Sequence, residues 1–193
     1  TQAGLTCRVF AGIHPNPRLF QVREGVQAAL EFGADLILAV GGGSVIDAAK
    51  AIALGAAEPE ADLWDFWLGK RPVERTLPVG AVLTISAAGS ETSSSAVLTR
   101  DDTLEKRGLT SEQIRPRFAV MDPELTCSLP PYQIACGVVD IMMHTLDRYF
   151  TCVTGNLLTD EIAQGLLRTV IRCGARALAD PCDLQTMSEL MWA

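Results

Sequence analysis

Histidine is scarce in this sequence. Only His14 and His144 occur among 193 residues, too few for a metal site built from imidazoles of this chain alone. The six cysteines, Cys7, Cys127, Cys136, Cys152, Cys173 and Cys182, include no C-x-x-C pair, which argues against a structural zinc site. No stretch reaches the roughly 18 uninterrupted apolar residues of a membrane span. The opening TQAGLTCRVF has no basic segment leading into an apolar one and does not read as a signal peptide. Positive charge is in deficit, with 16 Lys and Arg against 23 Asp and Glu for a net charge of −7. That balance argues against nucleic acid as the main partner. The expectation is a cytoplasmic chain with free thiols and neither membrane nor nucleic acid as partner.

What is present is apolar material, 48% of the residues, enough to bury a sizeable core. RLFQVREGVQAALEFG, residues 18–33, places Val22, Val26, Ala29 and Leu30 at helical spacing, with Gly33 as a stop. LILAV then reads as a short strand covered on both faces. GGG is a sharp turn, and Ser44 with Asp47 resembles a capping box opening a helix to about Ala57. This rhythm is that of a doubly wound α/β domain. Residues 58–76 read as an irregular connection. VGAVLTIS, AVLT and FAVMDP read as further strands, the first and last of them buried. From about residue 129 the pattern is helical only, over 131–151, 156–179 and a start at 183.

Three constellations carry chemistry. In VGGGSVID, residues 40–47, glycines between strand and helix permit close backbone approach, and the helix start offers N–H groups to a phosphate. The same residues serve equally as a tight turn. In LTISAAGSETSSS, residues 83–95, small hydroxyl side chains follow a strand, with Lys106 beyond them. They suit phosphate or ribose at the carboxyl end of a sheet, or a plain polar loop. In GVVDIMMHTLDRYF, residues 137–150, Asp140 and His144 stand four apart in an apolar helix expected to be buried. A buried carboxylate must be paired or ligate a metal, so the pair is either a local hydrogen bond or two ligands of a larger site.

Together these residues resemble the iron-containing (group III) alcohol dehydrogenase family. The resemblance joins PNP (15–17), GGGSVIDAAKAIA (41–53), the GSE loop (89–91), DPEL with LPP (122–131) and GVVDIMMHTLDRYFT (137–151). The wording is most similar to its butanol dehydrogenase and NADPH-dependent aldehyde reductase branch. The resemblance implies an α/β Rossmann-like dinucleotide-binding domain, residues 1–128, lacking its first βαβ portion. It implies the start of an all-α metal-binding domain over 129–193. It further implies interconversion of small primary alcohols and aldehydes with NADP or NAD and a divalent metal, Fe2+ or Zn2+, in a protein that is a homodimer when full-length. Asp140 and His144 match the first two of four metal ligands, the other two lying beyond Ala193. Asn16, Gly42, Gly43, Ser44, Asp47, Thr84, Ser93, Ser95 and Lys106 match cofactor-lining positions. Ala88 departs from the pattern where a threonine is common, and a hydroxyl contact is expected to be lost there. This fragment is expected to be weakly active or inactive alone. The alternatives are a glycerol-dehydrogenase-like or dehydroquinate-synthase-like enzyme, or a non-catalytic cofactor-binding or assembly module.

Overall fold

The structure, a computed structural model, describes residues 4–193. Helix α1 spans Leu19–Phe32 and ends at Gly33, whose φ of 68° lets its N–H turn back to the carbonyls of Ala29 and Leu30. Strand β1, Ile37–Gly41, leads into helix α2, Gly43–Ala57. The short helix α3, Leu63–Trp67, is capped by Asp62, whose carboxylate accepts from the Trp64 N–H. Strand β2 is Val79–Leu83, β3 is Ser95–Thr99, β4 is Lys106–Thr110 and β5 is Phe118–Val120. Helices α4 (Pro131–Tyr149), α5 (Leu157–Ala179) and α6 (Leu184–Trp192) complete the chain.

One sheet has the order β1-β2-β5. The Ile37 N–H donates to the Pro78 carbonyl and the Thr84 N–H to the Gly41 carbonyl, so β1 and β2 run parallel. A separate hairpin pairs β3 with β4 antiparallel, Ser95 opposite Thr110 and Thr99 opposite Lys106.

The chain divides into two compact units. The first comprises residues 4–40, 44–81 and 90–119, and the second 41–43, 82–89 and 120–193. The core of the first joins Leu19, Val22, Ala48, Leu54, Trp64, Trp67, Leu98 and Ile114. The core of the second joins Ile134 and Ile141 of α4, Val170 and Ala177 of α5, and Met187 and Leu190 of α6. Among the described residues no helix is long and apolar enough to cross a membrane. All six cysteines are free thiols.

Three expectations need correction, and one strand is additional to those expected. β1 is covered on one face only. Ile37 packs on the core and Ala39 is buried, while Leu38 and Val40 on the alternate face are 49% and 58% exposed. β5 is likewise not a buried strand, with Phe118 and Val120 both exposed. Residues 58–76 hold a helical turn, α3, because Asp62 caps the apolar run LWDFW. β4 was not expected at all, since KRGLT is mostly exposed and lacks an apolar alternation.

Candidate functional site

The glycine turn works through lack of bulk. A Cβ at Gly42 would collide with the Ile85 side chain, so only glycine lets the backbone pass there. Gly43 is the first residue of α2, and no acidic side chain stands in that helix's first turn. Its leading N–H groups therefore keep their positive partial charge. The expected capping box is absent. The helix starts at Gly43, two residues before the Val45 start that such a box implies, so Ser44 lies inside it rather than at the cap. The Ser44 hydroxyl instead accepts from the Asn16 N–H at 3.2 Å.

Asn16 is bracketed by Pro15 and Pro17 and adopts a left-handed φ of 55°, rare for a residue with a side chain. Its Oδ1 accepts from the exposed Lys106 Nζ at 2.8 Å. Asn16, Ser44 and Lys106 are thus brought together from three distant stretches of the first unit. A serine hydroxyl with its own proton and an ammonium with N–H groups to spare are donors that suit a phosphate.

Asp47 is turned away from that cluster. One carboxylate oxygen accepts from the Ser90 hydroxyl at 2.5 Å, and the other from the Val97 N–H at 2.9 Å. Burial raises its pKa, and these hydrogen bonds act against that rise. Beside it lies Lys50, fully buried, which the sequence reading did not single out. Its ammonium donates to the carbonyls of Ser90 (2.7 Å), Ser93 (3.0 Å) and Ser95 (2.7 Å). The Ser90 and Ser93 hydroxyls follow at 3.2 Å each. Burial pulls its pKa from the ordinary 10.5 down to about 8, and the negative charges of Asp47 and Glu91 act the other way. The signal for Lys50 was available: it is the one cation in the otherwise apolar helix IDAAKAIALGAA, three residues after an aspartate.

Ser93 and Ser95 therefore lie in the loop that Lys50 gathers. The Ser95 hydroxyl, however, meets the Thr110 hydroxyl at 3.2 Å. Thr84, in the second unit, is half-buried, with its N–H on the Gly41 carbonyl.

In the second unit Asp140 and His144 share one face of α4. His144 Nε2 lies 3.7 Å from Asp140 Oδ1, beyond hydrogen-bond distance. The side chains are 46% and 49% exposed, so the expectation of a fully buried helix is corrected. α4 buries one stripe, through Ile134, Gly137, Ile141 and Thr145, and presents the other. Neither side chain has another ion pair or hydrogen bond among the described residues. Two ligands about 2.1 Å from a tetrahedral ion lie roughly 3.5 Å apart, close to the separation seen here. A carboxylate oxygen and an imidazole nitrogen suit Fe2+ or Zn2+. Among the described residues no group of three or more His, Cys, Asp or Glu side chains forms a metal cage, so two ligands are the most that this face of α4 offers.

A parallel strand, a glycine turn and a helix with a donor-lined start define a partial Rossmann-like α/β protein. The chain belongs to the iron-containing alcohol dehydrogenase family, whose family model matches residues 1–123. It is 40% identical over 183 residues to the NADH-dependent butanol dehydrogenase A of Clostridium acetobutylicum, covering 95% of this chain and 47% of that protein. It is 39% identical to the NADPH-dependent aldehyde reductase YqhD of Escherichia coli, covering 98% of this chain and 50% of that one. The crystal structure of the NADH-dependent butanol dehydrogenase A of Thermotoga maritima superposes with a TM-score of 0.90 at 40% identity, over 94% of this chain and 45% of that one. The chain thus spans about half the length of the curated relatives it matches.

Proposed function

We propose that the protein carrying this chain is a metal-dependent oxidoreductase that interconverts primary alcohols and aldehydes by hydride transfer with NADPH or NADH. The observation that supports it most is the family match, joined to a donor-lined helix start and an outward-facing Asp–His pair. Relatives named for butanol dehydrogenation and for aldehyde reduction support this substrate class.

In this reading Asn16, Ser44 and Lys106 hold the cofactor's phosphates, and Gly42 and Gly43 keep the turn free of side chains. Thr84, Ser93 and Ser95 line the cofactor from the strand-and-loop segment, and Asp47 stays behind that loop as a hydrogen-bond acceptor. Asp140 and His144 hold a divalent ion together with ligands from outside this chain segment. When bound, such an ion polarises the carbonyl or alcohol oxygen and favours charge building there. Asp140 contributes an anionic ligand that tempers the ion's charge. His144 contributes an imidazole nitrogen as the second ligand.

The test is oxidation of NADPH and NADH by the full protein with a panel of short aldehydes and added Fe2+ or Zn2+. Aldehyde-dependent oxidation that disappears in Asp140→Ala is the expected result. No oxidation with any aldehyde, cofactor or metal would overturn the reading.

A further inference from the structure

The mechanism above makes no use of Lys50, although it is a fully buried cation whose nitrogen faces five oxygens. A lysine ammonium has three N–H groups. Here the three carbonyls, Ser90, Ser93 and Ser95, accept at 2.7 to 3.0 Å, and the two hydroxyls stand slightly further off. Two residues of the loop and the first residue of β3 thus point their carbonyls inward at a single cation. Such convergence of carbonyl dipoles is unfavourable without a positive charge at the centre. The loop's conformation is therefore tied to the three N–H donors that Lys50 presents.

We propose that Lys50 is a positioning residue for cofactor binding: its charged nitrogen is the centre around which the 90–95 loop is wound, and it fixes where Ser93 and Ser95 stand. The inference rests on the reading of that loop as part of the NAD(P)H site. With three carbonyls to satisfy, the neutral amine has one donor too few and carries no charge to draw in a phosphate. Cofactor affinity consequently falls as Lys50 loses its proton. The charged groups that face Lys50 are Asp47 on its own helix, Glu91 from the loop and Arg115 after β4, while Lys106 acts on Asp47. The depressed pKa of about 8 puts the transition within reach of ordinary assays.

The experiment is fluorescence titration of NADPH and NADH into the full protein from pH 7 upward, for the wild type, Lys50→Met and Lys50→Arg. It is paired with deuterium exchange of residues 90–95 at pH 7. For the wild type, the dissociation constant should rise about tenfold across a step centred near pH 8. Neither variant titrates there, so both should lose the step. Lys50→Met should bind at least tenfold more weakly at pH 7, with faster exchange confined to 90–95. Loss of the step with wild-type exchange elsewhere marks positioning rather than general damage. A flat wild-type profile overturns the proposal without recourse to any variant, even if Lys50→Met fails to fold. Faster loop exchange with unchanged affinity overturns it too, leaving Lys50 as scaffold. A wild type that binds neither cofactor, while Lys50→Met still loosens the loop, overturns instead the reading of the loop as a cofactor site.

Discussion

The two polar centres of this chain are opposites. Around Lys50 and Asp47 each charged group is enclosed and its hydrogen bonds are met by Ser90, Ser93, Ser95 and Val97. On α4 the Asp140–His144 pair is half exposed, and its members do not even hydrogen-bond one another. The first centre has finished its chemistry internally and shapes a loop. The second keeps its lone pairs available. Buried and satisfied polar groups have their partners fixed within the fold, whereas exposed and unspent ones at fixed spacing remain open to a ligand.

The sharpest way to break this contrast is Lys50→Met. It strands three inward carbonyls and the buried Asp47 carboxylate, and should cost about 3 kcal/mol or more of stability, measured by urea denaturation. Second comes pH. The folded chain releases the Lys50 proton near pH 8, and the unfolded chain only near 10.5. Between those values the unfolded state binds more protons, so stability should rise with pH, by at most about 3 kcal/mol. Lys50→Arg should lack that rise. Asp47 contributes the reverse sign in acid: its raised pKa means stability falls as pH climbs through that value.

Third, Gly137→Ala should cost about 2 kcal/mol, read as a lower melting temperature. Its Cβ would collide with the Ser86 carbonyl, and backbone cannot swing aside as a side-chain tip can. Last and smallest in stability is Asp140→Ala or His144→Ala, expected to change it by no more than about 0.5 kcal/mol. Metal affinity in a calorimetric titration of the full protein should nevertheless fall at least tenfold. A large stability loss on removing either side chain would erase the distinction between the two centres.

Sequence periodicity revealed the helices well. α1 was legible from its apolar spacing and Gly33, and α4 and α5 from runs that the structure reproduces within about two residues at each end. Strand burial was less legible. LILAV and FAVM are apolar throughout, and an apolar run does not say whether a neighbour covers both of its faces. β4 was invisible because KRGLT owes its strand conformation to pairing with β3, not to its own pattern. At the site, the glycine turn and the Asp140–His144 spacing stood out because residue type alone signals them. Lys50 did not, because a helical lysine ordinarily reads as solvent-facing. Only its apolar neighbours in the helix indicate otherwise, and its partners lie 40 to 45 positions away in or beside a loop of serines.

The Pro15–Asn16–Pro17 turn has a consequence for the flexibility of the whole site. Asn16 holds an uncommon backbone geometry, tied at one end to Ser44 and at the other to Lys106. The two flanking rings narrow the conformations open to this segment even in the disordered chain. Its ordering is therefore settled when the protein folds, and a ligand arriving there meets a corner with little freedom left to lose.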